Sequence, residues 1–169
     1  MILLLAIPFS ASQSRPEVTV ATGALRGIWE PGGDVASFRD IPYASAERFG
    51  APQPPASWSG VRDAGAFGPG CAQRGSNARN PDVPALMSED CQRLNVYTPS
   101  SALQGGGALA PVMVWWHGGA YSEGSSFGPF DLYDSTNVTR TGGVVVVSCN
   151  YRLGVLGGLV YDDGVTGNQ

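Results

Sequence analysis

The sequence is poor in basic residues and in histidine. It has only 10 basic residues among 169, none of them clustered, and its formal net charge is −4. Nucleic acids and anionic membrane surfaces are bound by basic patches, so neither partner is expected. The single histidine and the three cysteines form no group with acidic residues at metal-ligand spacing, and no glycine-rich loop follows the dinucleotide pattern. The sequence therefore implies no metal and no cofactor.

A long apolar run is also missing. The first apolar stretch, Ile2 to Phe9, is far shorter than the ~20 residues that span a bilayer, and small residues follow it up to Ser14. This is the pattern of a short signal peptide without its usual basic residues. We predict a signal peptide over residues 1–14 and a secreted protein; a truncated start or an ordinary buried segment is the alternative. In a secreted chain the sequon at Asn137 is a candidate glycosylation site, and a chance occurrence is the alternative.

The overall composition is that of a globular domain. Hydrophobic residues make up 43% and aromatic residues 9% of the chain, which excludes a disordered protein. Glycine and proline are frequent, with 24 and 13 residues, and most of the prolines precede residue 100. We expect one domain over residues 15–169, with a turn-rich first half, few long helices there and no internal repeats.

The first half of the chain predicts short strands. Residues 17–30 read as two strands around a turn at Thr22 and Gly23, and a third extended segment is stopped by Pro42. Together they form a small β-ribbon. Residues 45–84 show no sustained periodicity and predict an irregular region, after which RLNVYTP, Arg93 to Pro99, predicts a strand.

The second half predicts the centre of a sheet. After a turn at Gly105 to Gly107 come two continuous apolar runs, Pro111 to Trp116 and Gly143 to Cys149, separated by a glycine-rich segment. Strands that are apolar on both faces are typical of a covered, mostly parallel sheet. We interpret the adjacent Trp115 and Trp116 as core and sheet-edge aromatics.

Two of the three cysteines lie in loop-like surroundings. Cys71 and Cys91 are placed among polar residues, glycine and proline, where a disulfide would stabilise a weak loop, whereas Cys149 lies within the apolar VVVVSCN. An odd number of cysteines fits one bridge and one buried thiol. Closing a loop of this length contributes about 3 kcal/mol in the chain-entropy description.

The single histidine opens the most informative stretch, VMVWWHGGAYSEGSSFG, Val112 to Gly128. A strand that ends in His-Gly-Gly-small exposes consecutive backbone N–H groups, and the glycines leave room for a substrate oxygen. A loop of this type forms part of the oxyanion hole of α/β-hydrolases. A tight turn after a strand also uses Gly-Gly, so the tetrapeptide alone leaves both interpretations open.

Over nearly its whole length the chain resembles the type-B carboxylesterase and cholinesterase family. The matching stretches are collinear: FRDIPYA, RF, APQPP, W-x-G-V-R-D-A, FGPGCAQ, SEDCQRLNVYTPS, PVMVWWHGGAYSEGS, VVVVSCNYRLGVLGGL and TGNQ. The most specific is EDC-x-x-LNVYTP followed by an apolar strand and HGG. One departure is Gln92 and Arg93, where the family usually has leucine and an aromatic residue, so local packing there should differ. The resemblance implies an incomplete α/β-hydrolase fold, with the N-terminal β-ribbon and the first strands of a central, mostly parallel sheet.

The resemblance also implies roles for individual residues of the glycine loop. Gly119 and Ala120 align with the two oxyanion donors that this loop supplies in the family, and Gly118 supports the turn. His117 is then a positional residue at the end of the strand. It is not the histidine of the catalytic triad, which in the family lies far downstream.

Three structural contacts are implied in the same way. Cys71 would pair with Cys91, and Arg48 would form a salt bridge with Glu89 of the SEDC motif, with a solvated surface pair as the alternative reading. Arg152 resembles a family arginine whose carboxylate partner follows the TGN segment.

One serine motif in the chain is misleading. GSSFG, Gly124 to Gly128, satisfies G-x-S-x-G with Ser126 at its centre. A nucleophile elbow needs a strand directly before the serine and a helix directly after it. Here a loop precedes Ser126 and Gly128-Pro129 follows it, so we interpret Ser126 as a loop residue that lines the gorge.

The leading functional hypothesis is the N-terminal portion of a serine carboxylic-ester hydrolase, whose substrate is a small-molecule ester. In the family the Gly-Glu-Ser-Ala-Gly elbow, the acid and the histidine follow the TGN motif, and this sequence ends at Gln169. The chain would then supply the oxyanion loop without the triad, and we expect it to be inactive alone. The alternatives are a non-catalytic, cholinesterase-like adhesion or binding protein and an incomplete or degenerate gene model. The sequence indicates no oligomeric state.

Overall fold

A computed structural model of the chain describes residues 13–74, 84, 86–104, 109–129 and 132–159. Nearly all of the predicted signal peptide, the predicted turn at Gly105 to Gly107 and the TGN segment lie outside the described residues. No helix in the described ranges is both long enough and apolar enough to cross a membrane.

The described residues contain ten strands and three short helices. The strands are β1 Glu17–Val20, β2 Gly23–Arg26, β3 Ile28–Trp29, β4 Val35–Pro42, β5 Val61–Asp63, β6 Gly70–Cys71, β7 Met87–Ser88, β8 Arg93–Pro99, β9 Val112–Trp116 and β10 Val145–Cys149. The helices are α1 Ser100–Leu103, α2 Thr136–Gly142 and α3 Gly154–Gly158.

The N-terminal β-ribbon forms where the sequence predicts it. β1 and β2 are antiparallel, with Val20 opposite Gly23 across the turn. β5 adds a third strand, parallel to β2, within the segment that the sequence leaves irregular. Its three residues are too few to show a periodicity, which is why the pattern missed it.

A five-stranded mixed sheet forms the body of the chain. Its strand order is β3-β4-β8-β10-β9. The first three neighbouring pairs are antiparallel, and β10 and β9 are parallel, with Cys149 opposite Trp116. The parallel part of the predicted sheet is therefore this β9–β10 pair, and the strands between β3 and β10 add an antiparallel flank.

Helix α2 lies in the crossover that joins the two parallel strands. Asp134 Oδ1 accepts a hydrogen bond from the Thr136 amide at 2.8 Å at the start of the helix. Gly143 ends it with a φ of 62°, a left-handed conformation that glycine adopts without strain. Thr136 and Thr139 are its buried residues, and the helix packs on β4, β8 and β10. The crossover thus covers the sheet and brings β10 alongside β9.

The apolar core lies on the β4 side of the sheet. Leu25, Ala36, Phe38 and Ala64 form one buried cluster between the ribbon and β4. A second cluster joins β4, β8 and β10 through Val35, Tyr97 and Val146. Apart from Ala64, which follows β5, these residues come from strands that have neighbours on both sides.

Strand β9 is the edge of the five-stranded sheet within the described residues. All five of its residues are exposed, between 47% and 60%. The apolar run therefore predicts the strand correctly, and the described residues leave this strand exposed. Trp115 is a sheet-edge residue that touches Tyr133, and it is not in the core.

Candidate active site

The glycine loop starts at the carboxyl end of β9. Because β9 and β10 are parallel and Trp116 lies opposite Cys149, residues His117 and Asn150 leave the sheet at the same edge. In open α/β sheets this carboxyl edge is where ligands bind. We call residues 117–128 the glycine loop.

The backbone of the glycine loop is held in an unusual conformation. Gly119, Ala120 and Tyr121 have φ angles of 114°, 51° and 58°. Two consecutive non-glycine residues with positive φ are uncommon, and such strain clusters at functional sites. The carbonyl of Gly119 accepts hydrogen bonds from the amides of Ser122 and Glu123, at 2.9 and 3.2 Å, which closes the turn.

The amides of Gly119 and Ala120 have no hydrogen-bond acceptor within the described residues. Gly118, Gly119 and Ala120 are exposed. A Cβ atom on Gly118 would meet nothing within 4 Å, whereas one on Gly119 would lie 1.9 Å from the Glu123 carbonyl oxygen. Gly119 is therefore required by the turn itself.

His117 is buried at the root of the loop. Its side chain is 4% exposed, its ring stacks on Tyr151 at 4.4 Å, and the Tyr151 hydroxyl donates to the His117 carbonyl at 2.6 Å. The Nδ1 atom lies 2.8 Å from the Gly118 carbonyl oxygen, so Nδ1 carries the proton and donates. Burial lowers the pKa of the imidazole. His117 is thus a neutral, packed residue at the strand end.

Ser126 lies in a loop, but it does not line an open surface. It is 2% exposed, its amide donates to Asn150 Oδ1 at 2.7 Å, and its hydroxyl accepts from Asn95 Nδ2 at 2.9 Å. The side chains of Asn95 on β8 and of Asn150, which follows β10, thus hold Ser126 beneath the loop. The expectation that Ser126 lines a gorge is wrong, because these two asparagines offer buried amide partners that the sequence pattern does not display.

The three cysteines and the acidic motif are placed as follows. Cys71 is bonded to Cys91 across a separation of 20 residues, and Cys149 is a buried free thiol.

The guanidinium of Arg48 donates to both carboxylate oxygens of Glu89, and the distance from its Nε to Oε2 is 2.9 Å. This contact lowers the pKa of Glu89. Both side chains are well exposed, so the pair is a surface ion pair and contributes little to stability.

The remaining predicted residues make contacts outside the glycine loop. Asn137 is exposed in α2 and its amide oxygen accepts from Arg140 at 3.2 Å. Arg152 donates to the Gly50 carbonyl at 3.0 Å. Arg93, one of the two departures from the family pattern, is paired with Asp90 and Asp40.

Sequence reasoning missed the side chains that hold the glycine loop. Gln73 contacts the backbone of Gly124, Asn150 holds Ser126, and Tyr151 holds His117. Gln73 ends the motif FGPGCAQ, and the other two lie in the stretch that continues into NYRLG. The only sign of these residues in the sequence is that they lie in stretches that match the family. Their contacts join residues 24 to 51 positions apart in the chain, so no local pattern displays them.

Comparisons with known proteins agree with this architecture. A model of the carboxylesterase family matches residues 14–169. The chain is 38% identical to the fumonisin B1 esterase of Sphingopyxis macrogoltabida, over 96% of this chain and 31% of that protein. It is 40% identical to carboxylesterase 3 of Pongo abelii, over 92% of this chain and 29% of that protein. It is 39% identical to the para-nitrobenzyl esterase of Bacillus subtilis, over 83% of this chain and 28% of that protein.

A solved structure of a PNB esterase superposes with a TM-score of 0.77 at 37% identity, and the match covers 92% of this chain and 32% of that one. The chain spans about a third of the length of these relatives. The fold is therefore the part of an α/β-hydrolase that this superposition covers, and the chain belongs to the type-B carboxylesterase and cholinesterase family.

Proposed function

We propose that this chain is the portion of a serine carboxylic-ester hydrolase that supplies the oxyanion loop, with Gly119 and Ala120 as backbone donors. The observation that carries the proposal is the pair of exposed amides at the carboxyl end of β9, without an acceptor in the described residues. The positive φ angles of Gly119 and Ala120 support it, because they turn successive N–H groups out of the strand direction.

In the complete site an ester carbonyl is attacked by a serine, and negative charge develops on the carbonyl oxygen. Donors that are already oriented toward that oxygen stabilise the tetrahedral intermediate without reorganising. The amides of Gly119 and Ala120 would do this, while Gly118 leaves space beside them. The substrate class is a small-molecule carboxylic ester.

We also propose that the 169 residues alone do not hydrolyse esters. The single histidine uses Nδ1 to bind its neighbour's carbonyl, and the Ser126 hydroxyl is buried against Asn95. A nucleophile must be activated by a base within hydrogen-bond reach, and these two residues make no such pair. In the complete enzyme, the catalytic triad would lie in a segment equivalent to the part of the longer relatives that this chain does not match.

Secretion is part of the proposal. The disulfide between Cys71 and Cys91 is of a kind that persists in oxidising compartments, and the first 14 residues have the pattern of a signal peptide. Secretory expression followed by N-terminal sequencing should show cleavage near Ser14. Retention of the first residues in the secreted product would contradict this.

The test is a chimera in which this chain replaces the matching third of the Bacillus subtilis para-nitrobenzyl esterase. The chimera should hydrolyse p-nitrophenyl acyl esters, and the 169-residue chain should show no turnover above background. A folded chimera whose serine reacts with an organophosphonate but which shows no ester turnover would contradict the proposal and favour the non-catalytic alternative. Turnover by the chain alone that is lost in Ser126→Ala would show that Ser126 is a nucleophile.

A further inference from the structure

We propose that Gln73 is a positioning residue for the oxyanion loop, acting through the backbone of Gly124. Its effect on catalysis rests on the proposed function, whereas its effect on the order of the loop does not. Nothing in the sequence motif assigns it this role, and the geometry of three hydrogen bonds carries the inference.

The side-chain amide of Gln73 forms hydrogen bonds with both the backbone N–H and the backbone carbonyl of Gly124. Its Nε2 donates to the Gly124 carbonyl at 2.8 Å, and its Oε1 accepts from the Gly124 amide at 2.8 Å. The same Nε2 donates its second hydrogen to the Cys71 carbonyl at 3.0 Å. An amide group with its two donors and its acceptor in use is held in one orientation, and it binds Gly124 much as a neighbouring strand would.

Gly124 in turn packs against the root of the oxyanion loop. Its φ is 113°, and a Cβ atom there would lie 2.5 Å from His117 Nδ1 and 2.8 Å from the Gly118 carbonyl oxygen. The backbone of Gly124 therefore lies directly against the residues that precede Gly119. The bonds from the amides of Ser122 and Glu123 to the Gly119 carbonyl close the remaining side of the turn.

Gln73 is itself anchored independently of the glycine loop. It follows Cys71 by two residues, and Cys71 is covalently joined to Cys91. Between them, the Ala72 amide donates to the Ser88 carbonyl at 3.0 Å. Gln73 is therefore held in place by the segment next to the disulfide. The hydrogen bonds that fix Gly124 come from a residue outside the glycine loop.

The catalytic consequence follows from how oxyanion donors work. They stabilise charge only where it develops, so a displacement of the loop reduces stabilisation of the transition state more than binding of the substrate. A misplacement of about 1 Å can lower a rate about 100-fold. Loss of the Gln73 contacts should therefore lower kcat and leave KM nearly unchanged.

The informative variant is Gln73→Met, which keeps the length of the side chain and removes its hydrogen bonds. Gln53→Met is the matched control, because Gln53 is exposed and the one hydrogen bond that its side chain makes within the described residues is a long one, 3.4 Å to the Ala51 carbonyl. In the full 169-residue chain, NMR-detected amide exchange should show the Gly124 amide losing at least about tenfold in protection in Gln73→Met. The amides of Ser122 and Glu123 should lose protection with it, and Gln53→Met should change none of the three.

The kinetic measurement uses the chimera described above, with turnover expressed per active serine titrated by an organophosphonate, so that unfolded protein is not counted. Gln73→Met should lower kcat between about 10-fold and 100-fold, with KM within about twofold. It should weaken inhibition by an aryl trifluoromethyl ketone by the same factor, because the serine adduct of that ketone carries an oxyanion.

Several results would overturn the proposal. They are unchanged exchange at Gly124 in Gln73→Met, a parent chain in which that amide is already unprotected, an equal effect of Gln53→Met, or an active chimera whose kcat and ketone inhibition do not change. If the parent chimera is inactive, the proposed function fails, and the exchange measurement still decides whether Gln73 holds the loop.

Discussion

Strand β9 is apolar throughout, whereas β4 also contains Ser37, Arg39 and Asp40, yet the buried apolar residues are those of β4. On β4, Val35 and Ala36 are fully buried and Phe38 is 2% exposed, whereas every residue of β9 is at least 47% exposed. The difference is one of neighbours, because β4 lies between β3 and β8, while β9 has only β10 beside it in the described residues. The β4 side thus contributes the packing energy, and the β9 side presents the glycine loop, which we propose to be functional.

The division of roles predicts that substitutions on the two sides have different readouts. Changes on the β4 side should alter the free energy of unfolding, and changes in the loop after β9 should alter turnover. A strong stability effect on β9, or a strong turnover effect on β4 in a folded protein, would break the comparison.

The largest effect is expected for Phe38→Ala. Phe38 is in the cluster that joins the ribbon to the sheet, and removing a buried phenyl ring costs about 3–5 kcal/mol because a cavity remains. Urea unfolding of the chain should measure this loss. Val61→Ala is the control on the same side, because Val61 in β5 is 43% exposed; an equal loss in both variants would contradict the assignment of the core.

Removal of the disulfide should be the next largest effect. The double variant Cys71→Ser with Cys91→Ser opens a loop with a separation of 20 residues, which should cost about 3 kcal/mol of unfolding free energy. Cys149→Ser is the matched control, since Cys149 forms no bridge. Peptide mapping without reduction should find the Cys71–Cys91 crosslink, and a crosslink to Cys149 would refute this framework.

In the chimera, Gly119→Val should lower turnover by at least about 100-fold, the loss typical of one missing oxyanion donor. The new Cβ would lie 1.9 Å from the Glu123 carbonyl oxygen, so the turn must move and its amides lose their direction. His117→Asn keeps a polar group at the strand end and should cost much less. Inactivation by His117→Asn with activity retained in Gly119→Val would show that the loop has been assigned wrongly.

The stability of the 169-residue chain should fall as the pH is lowered from 7.5 to 5.5. Burial lowers the pKa of His117 below its ordinary value, so the unfolded chain takes up a proton at a higher pH than the folded chain does. The contribution of neutral His117 is complete above the unfolded pKa of about 6.5 and is lost progressively below it. The chain has one histidine, so His117→Asn should flatten this part of the profile, and an unchanged slope in that variant would exclude the histidine as its cause.

The sequence predicts most of the strands and only part of the site. The ribbon, β4 and β8 are local patterns of alternating or continuous apolar residues, and the glycine loop is a local motif, so both are visible in the printed sequence. Other features depend on contacts between distant segments and are visible only in the structure. They are the exposure of Trp116, the burial of Ser126 and the hydrogen bonds between Gln73 and Gly124. Local periodicity shows that a residue is in a strand, but it does not show which neighbours cover that strand.

The smallest expected effect is that of a valine-to-threonine substitution on β9. The same substitution can be made on β4, so it compares the two strands directly. Val112 on β9 is 60% exposed, and Val35 on β4 is fully buried. Val112→Thr keeps a β-branched residue at an exposed position and should change the free energy of unfolding by less than about 0.5 kcal/mol. Val35→Thr places a hydroxyl in the core, where it costs about 1–3 kcal/mol unless it finds a partner. Urea unfolding of the two variants in the same chain measures the difference, and equal losses would mean that β9 is covered in solution.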